Sequence, residues 1–313
     1  MVFVPEQGAA SLRFVIDAVA GTILFLLASV LLAAYAGATG ADNLIARAFT
    51  GAPALMVLSA ALVGALSPFC SCGVIPLVAA LLAMGVPLSA VMAFWLASPL
   101  MDPSMFAITS GIMGVEFAVA KTVAAIGIGL LGGYGVLLLE RRGWLSDALR
   151  DGIGNGGCGG AKVRAPKPVV WAFWQDDARR AKFLREATAT TLFLGKWLVF
   201  AFVLESLMVA YVPGEAIARS VGGEGLGTIA LAALVGVPAY LNGYAALPLV
   251  AGLTEQGMSA GAGMAFLLAG GVSSLPAAIA VWALARPPVF ALYLGFALLG
   301  SMLAGLAWQG WMG

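Results

Sequence analysis

The sequence predicts an all-α polytopic membrane protein made of two homologous repeats in opposite orientations, with about ten membrane segments in total. Composition is the first reason, because hydrophobic residues make up 62% of the 313 residues and charged residues only 10%. A soluble domain carries about a quarter charged residues. The charges are also unevenly spaced, and none occurs from Ala48 to Met101. Long uncharged stretches of this kind are typical of helices that cross a bilayer.

An internal repeat is the second reason. The sequence matches itself at an offset of 172 (the repeat offset), which pairs position 60 with position 232. Segments 60–97 and 232–269 then share 17 identities in 38 positions. The identities include a proline, two glycines, a methionine and a phenylalanine in a single register, which apolar composition alone rarely produces. The two segments share no residue between 65 and 75 of the first. Duplicated transporters place a substrate site at such divergent breaks.

Each half is predicted to hold three long helices around a broken region. The broken region contains two apolar pieces of about 12 residues, which are too short to cross the bilayer alone. They are either halves of broken helices or the arms of a re-entrant hairpin, and the sequence leaves both open. Counting each broken region as two passes gives five per half, and an odd number makes the repeats inverted. The predicted long helices are 14–36, 48–66 and 116–139, then 188–212, 222–238 and 288–310; the short pieces are 73–84, 88–99, 245–256 and 259–270.

The polar segment 140–187 separates a first transmembrane repeat, 1–139, from a second, 188–313. It holds ten of the sixteen Lys and Arg residues, so the positive-inside rule predicts a cytoplasmic loop and both termini outside. Residues 171–187 combine aromatic and basic side chains, which predicts a short helix on the inner leaflet. The basic residues are explained by topology, and no nucleic-acid partner is expected.

Two cysteines lie in the first broken region, in the stretch SPFCSCGVIP (67–76). Cys70 and Cys72 are one residue apart at a helix break, where their sulfurs could bind one soft centre such as a thiophilic metal or metalloid. Their counterparts at the repeat offset are Asn242 and Tyr244, which predicts a polar lining opposite the thiols. The simpler alternative is that the cysteines pack as small apolar side chains and that the other two are turn residues. With three cysteines and no histidine in the chain, no disulfide framework, zinc site or cofactor is expected.

Further polar residues are candidates for the transport path. Ser98 and Asp102 lie in a second break, SPLMDPS (98–104). An acidic side chain at membrane depth often has a role in function. The alternative is that Asp102 caps a helix starting at Pro103. Glu205 is a candidate proton site. Cys158, in the glycine-rich loop, could capture a thiophilic substrate, although a single loop cysteine is more often incidental. Two charged residues near a helix start, Glu116 and Lys121, are expected to extend to the interface.

Four features together resemble the ArsP/YraQ permease family: FCSCG followed by VIP, the SPLMDP break, the matching LNGYAALP, and a cytoplasmic loop containing a cysteine. Members of that family are bacterial inner-membrane permeases, and ArsP-type members export trivalent organoarsenicals such as methylarsenite. The resemblance implies that thiols bind the substrate, which here would be Cys70, Cys72 and Cys158.

The sequence therefore favours an efflux permease for a soft, thiol-reactive solute, coupled to protons or sodium through Asp102 or Glu205, or not coupled to any ion. A permease for another metal or a sulfur-containing solute is the nearest alternative. A membrane thiol oxidoreductase is an alternative from a different class of protein. The absence of a second cysteine pair from the sequence weakens it. A subunit that recruits a partner through the 140–187 loop is the third alternative.

Overall fold

The computed structural model describes residues 5–39, 52–67, 74–83, 86–145, 170–211, 225–239, 243–255 and 257–312. Within these ranges the chain forms twelve α-helices and one 3₁₀ turn, Phe173–Gln175. The first half contains α1 (Pro5–Thr39), α2 (Pro53–Leu66), α3 (Val74–Ala83), α4 (Leu88–Ala97), α5 (Pro103–Met113) and α6 (Val115–Arg141). The second half contains α7 (Asp177–Tyr211), α8 (Leu226–Ala239), α9 (Gly243–Glu255), α10 (Ala260–Ser273), α11 (Leu275–Leu284) and α12 (Pro287–Met312).

Four helices of the first half begin at positions equivalent to the starts of their counterparts in the second half. α1 and α7 are both 35 residues long, and both their first and their last residues are equivalent at the repeat offset. The first residues of α4, α5 and α6 are likewise equivalent to those of α10, α11 and α12. The helix boundaries therefore keep the register in which the two halves of the sequence match.

Three helices of each half pack into a compact group: α2, α4 and α6 in the first half, and α8, α10 and α12 in the second. Glycines allow the backbones to approach closely in both groups. A Cβ placed on Gly64 of α2 would lie 2.7 Å from the carbonyl oxygen of Phe94, and one on Gly236 of α8 would lie 2.7 Å from that of Phe266. Such close approach through small residues is how helices associate in membranes.

The two groups meet where α6 crosses α12. Phe117, near the start of α6, stacks edge-on against Trp308 near the end of α12, with 5.6 Å between ring centroids. Further along, Ile128 packs against Gly300. Because the start of one helix lies beside the end of the other, α6 and α12 run antiparallel.

The long helices α1 and α7 also pack against each other, and they too are antiparallel. The guanidinium of Arg179, in the first turn of α7, donates to the carbonyl oxygens of Ala38 (2.9 Å) and Thr39 (3.2 Å) at the end of α1. These carbonyls belong to the last turn of a helix, where no intrahelical donor is left for them. The contact fixes the entry into the second half beside the end of the first long helix.

Large apolar side chains cover much of the outside of the helices. Leu24, Val123, Leu192 and Leu303 are each at least half exposed, which is typical of a surface that contacts lipid. Among the described helices, α6 and α12 are long and apolar enough to cross a bilayer, while α2, α4, α8 and α10 are apolar but shorter. The expected total of about ten segments remains a prediction.

The start of the second half differs from the sequence prediction. Residues 171–187 do not form a separate surface helix ending before position 188, because α7 runs without interruption from Asp177. Asp176 accepts a hydrogen bond from the amide of Ala178 (2.9 Å), and Arg180 pairs with Asp177 at 3.0 Å. A capped, charged first turn of this kind favours a helix that extends beyond its apolar part.

The second breaks also differ from the prediction, because each is followed by an additional helix, α5 or α11, before the last long helix. Gly114 is the single residue between α5 and α6, and its φ of 92° is a left-handed conformation that glycine adopts without strain. The chain therefore turns between two helices at one residue. The sequence predicts the last long helix from position 116, one residue from its observed start, but its layout of helices leaves out α5.

Candidate functional site

The first break of each half lies where the sequence predicts it. α2 ends at Leu66, and the amide of Ser67 donates to the carbonyl of Gly64; α3 begins at Val74. Cys70 and Cys72 lie between them, outside the described residues. In the second half the corresponding gap lies between α8 and α9; Asn242 and the side chain of Tyr244 are outside the described part, as are Cys158 and the side chain of Glu205. The predicted thiol site is thus located by its flanking helices alone.

Helices that follow the first breaks pack across the boundary between the two halves. α3, which begins just after Cys72, contacts α11 of the second half. α9, which begins just after Asn242, contacts α5 of the first half. Val74 and Ile75, at the start of α3, are both buried. The helix that follows each first break therefore packs against a helix of the other half.

The second break of the first half holds Asp102 in a well-defined position. Asp102 is the N-cap of α5: its Oδ1 accepts from the amide of Met105 at 2.8 Å, and its carbonyl accepts from Phe106. Pro103 occupies the first turn, where a missing amide donor costs nothing. The capping role considered for Asp102 is confirmed. At the equivalent place Ser274 starts α11, but its side chain makes no capping hydrogen bond.

Ser98 lies at the end of α4, in the same break. Its backbone amide donates to Phe94, its side chain is only 1% exposed, and within the described chain its hydroxyl oxygen has no hydrogen-bond partner. A buried hydroxyl normally finds a partner, since leaving it unpaired costs about 1–3 kcal/mol. Ser98 is therefore a polar group available to a ligand at this break. Thr109 on α5 is a second such hydroxyl, and no sequence signal distinguished it.

The position of Lys121 differs from the sequence prediction. It was expected to extend to the interface, but it lies inside the protein on α6 with 1% of its surface exposed. Asp102 supplies a negative charge that acts on it. A buried ammonium is costly unless compensated, and the charge of Asp102, across the second break, offsets part of that cost. Glu116 is exposed, as expected.

The second half has an uncharged group at the equivalent position. Tyr293 of α12, the counterpart of Lys121 at the repeat offset, is buried and donates its hydroxyl to the carbonyl of Val272 near the end of α10. Comparing the halves at this offset pairs Lys121 with a tyrosine, a residue type that is common at the membrane interface as well as inside, so the sequence alone does not reveal that position 121 faces inward. The two second breaks differ in charge and also in length, because residues 98–102 separate α4 from α5, whereas Ser274 alone separates α10 from α11.

The described residues contain no group of three or more histidine, cysteine or acidic side chains that could hold a metal ion. The polar groups described at the site are the hydroxyls of Ser98 and Thr109, the carboxylate of Asp102 and the ammonium of Lys121. These groups can bind and orient a polar solute or carry charge; a soft ligand would need the thiols of Cys70 and Cys72.

Comparison with known proteins gives one family and two partial relatives. The family ArsP_1, described as a predicted permease, matches residues 9–310. The UPF0718 protein MJ0584 of Methanocaldococcus jannaschii is 26% identical over 137 residues, which are 44% of this chain and 38% of that protein. The UPF0718 protein YcgR of Bacillus subtilis is 41% identical over 81 residues, 26% of this chain and 28% of that protein. The matches thus span well under half of either relative. No solved structure shows significant similarity to the chain.

Proposed function

The chain belongs to the ArsP_1 family of predicted permeases, which confirms the resemblance drawn from its motifs, and from this premise we propose that it exports a soft, thiol-reactive solute. Trivalent organoarsenicals such as methylarsenite are the proposed cargo. The observation that carries the proposal is the C-S-C-G sequence at the break between α2 and α3, in a chain that belongs to a permease family. A permease moves its solute unchanged, so no catalytic residues are proposed.

Alternating access between two inverted repeats is the proposed mechanism. It is supported by helix boundaries that recur at the repeat offset and by the matched contacts of Gly64 and Gly236. It is also supported by the antiparallel pairs α1/α7 and α6/α12. In transporters with inverted repeats, two bodies rock around a site near the bilayer midplane, where discontinuous helices meet. Here α2–α4–α6 and α8–α10–α12 are the proposed bodies.

Thiol exchange is the proposed binding chemistry. The two As–O bonds of CH₃As(OH)₂ are replaced by two As–S bonds to Cys70 and Cys72, and the two thiol protons leave with the hydroxyls as two water molecules. Water reverses the exchange when the substrate is released. Thiolate ligands favour soft centres over hard ions, which gives selectivity. Ser98, Asn242 and Tyr244 are proposed to line the same path, and Cys158 to capture substrate from the cytoplasm.

Coupling is proposed to use protons or sodium, with Asp102 or Glu205 as the carrier. The position of Asp102 at a break, beside the buried Lys121, supports it, since ionisable groups at membrane depth commonly serve ion pathways. The proposed location is a bacterial inner membrane with residues 140–187 in the cytoplasm. The concentration of basic residues in that segment supports this orientation.

Methylarsenite accumulation in everted membrane vesicles tests the proposal. Wild type is compared at equal expression with Cys70→Ser, Cys72→Ser and, as a matched control between the two thiols, Ser71→Ala. We expect accumulation by wild type and Ser71→Ala, and loss of most of it in both cysteine variants. The reason is that a single remaining thiol cannot form the second As–S bond.

Other outcomes separate the alternatives. Absence of uptake by wild type would reject methylarsenite and leave a permease for another metal or a sulfur-containing solute. Uptake retained by both cysteine variants would assign the cysteines to packing and move the binding role to Asp102, Asn242 and Tyr244. If the cysteine variants instead lost a thiol-dependent redox activity of the membranes, the oxidoreductase alternative would be favoured.

A further inference from the structure

An open groove of about 800 Å³ runs between the antiparallel helices α6 and α12. On the α6 side it extends from Val115 to Leu131, a length of about 24 Å at the rise of an α-helix. Small residues of both helices line the part that we call its floor, and Met264 of α10 also lines the groove. The floor residues are Ala120, Ala124, Gly127, Gly300, Ala304 and Ala307.

The groove is open to the outside of the helix bundle. Val119, Val123 and Leu303 along its edges are between 48% and 64% exposed, and Trp311 at its end is 78% exposed. Its floor is recessed between two helices that already touch, where Ile128 meets Gly300. A third α-helix is about 10 Å wide, so it would contact the edges of the groove without reaching its floor. A single hydrocarbon chain is narrow enough to lie on the floor.

Two polar groups lie at one end of this apolar groove. Glu116, in the first turn of α6, is its one charged lining residue and is exposed. Trp308 is 8% exposed, and in the described part of the chain its indole nitrogen has no hydrogen-bond partner. A buried donor of this kind gains from an acceptor brought by a ligand. The end of the groove thus offers a carboxylate and a hydrogen-bond donor above a long apolar floor.

We propose that this groove is a binding site for one phospholipid with an amine headgroup. An acyl chain lies along the floor between α6 and α12, an ester or phosphate oxygen accepts from the indole N–H of Trp308, and the ammonium of the headgroup pairs with Glu116. An anionic headgroup would be repelled by the carboxylate, so the charge selects among lipids. This site is separate from the proposed thiol site and does not depend on the cargo.

Native mass spectrometry of the full chain in detergent tests this site. Phosphatidylethanolamine and phosphatidylglycerol with identical chains are added in turn, and the retained fraction is compared. We expect wild type to retain phosphatidylethanolamine about tenfold better. Gly127→Leu fills the floor from a position where a Cβ meets open space, and it should abolish retention of both lipids. Gly295→Leu, at an equally open position on α12 outside the groove, is the matched control and should behave as wild type.

Two further variants test the polar contacts. Glu116→Gln should equalise the two lipids while retaining both, and Trp308→Phe should weaken both several-fold while keeping the ring that stacks on Phe117. Equal retention of each lipid by wild type and Gly127→Leu would overturn the proposal. A wild-type dimer that Gly127→Leu converts to a monomer would also overturn it, because a second copy would then occupy the groove. None of these outcomes bears on methylarsenite uptake.

Discussion

Replacing Gly64 or Gly236 by alanine is expected to destabilise the protein, although alanine is the better helix former. Both glycines lie inside helices, α2 and α8, at the points where these helices approach α4 and α10 most closely. Gly295, inside α12, has nothing within 4 Å of the position a Cβ would take. Gly295→Ala is therefore a control with the same chemical change and no neighbour.

The magnitude follows from two opposing terms. Alanine in place of glycine stabilises a helix by about 0.5–1 kcal/mol. At Gly64 the added carbon would lie 2.7 Å from the carbonyl oxygen and 3.1 Å from the Cα of Phe94. Both are backbone atoms that cannot rotate away, so the helices must separate, and overpacking of this kind costs about 1–3 kcal/mol. We expect a net loss of about 1 kcal/mol for either variant and a gain of up to about 1 kcal/mol for Gly295→Ala.

Unfolding of the purified protein in mixed micelles, titrated with sodium dodecyl sulfate, measures these free energies. From most to least stable, the expected order is Gly295→Ala, wild type, then Gly64→Ala and Gly236→Ala, which should lose similar amounts of free energy of unfolding. Stabilisation of Gly64→Ala by as much as the control would refute the close approach of α2 to α4. A loss confined to one of the two glycines would refute the equivalence of the two three-helix groups.

Two further predictions concern charged groups. Asp102→Asn keeps a good N-cap residue but removes the negative charge that acts on the buried Lys121 ammonium, so we expect a loss of about 1–2 kcal/mol in the same titration; Lys121→Met should cost less, and the double variant should recover most of the loss, whereas additive losses would contradict the electrostatic coupling. Arg179→Ala removes two hydrogen bonds to the end of α1. It should cost about 1 kcal/mol, because the side chain is partly exposed. We expect faster amide hydrogen exchange only at the joined ends of α1 and α7, and unchanged exchange there would argue against the contact.

Much of the helix layout could be predicted because apolar runs and helix breakers both repeat. Pro, Gly and polar residues mark the ends of α2 and α8, and the repeat offset placed the short helices within a few residues of their observed bounds. The start of α7 was predicted at position 188 instead of Asp177, because the first turns depend on capping and ion pairs rather than on hydropathy. The start of α6 was predicted within one residue, at 116 instead of Val115, but α5 was left out of the layout because its 11 residues are too few to cross a bilayer.

The candidate site was predictable to a similar degree. The capping position of Asp102 follows from its place before Pro103. The burial of Lys121 does not follow from its own surroundings in sequence, because a lysine in the second turn of an apolar helix can equally extend to the interface. The burial of the Lys121 side chain is set by the packing of α6 against other helices. The orphan hydroxyls of Ser98 and Thr109 likewise depend on which neighbours tertiary packing brings near.

The contact between Ile128 and Gly300 has a consequence for the ancestry of the chain. The two positions are equivalent at the repeat offset, so under the proposed duplication they descend from one ancestral position that faces its own copy. A side chain added at Gly300 would come within 2.7 Å of Ile128. A dimer of identical subunits would have to place two isoleucines or two glycines there, giving either a clash or a void. After the duplication one copy could enlarge while the other shrank, and once this had happened the halves could no longer be separated into interchangeable subunits.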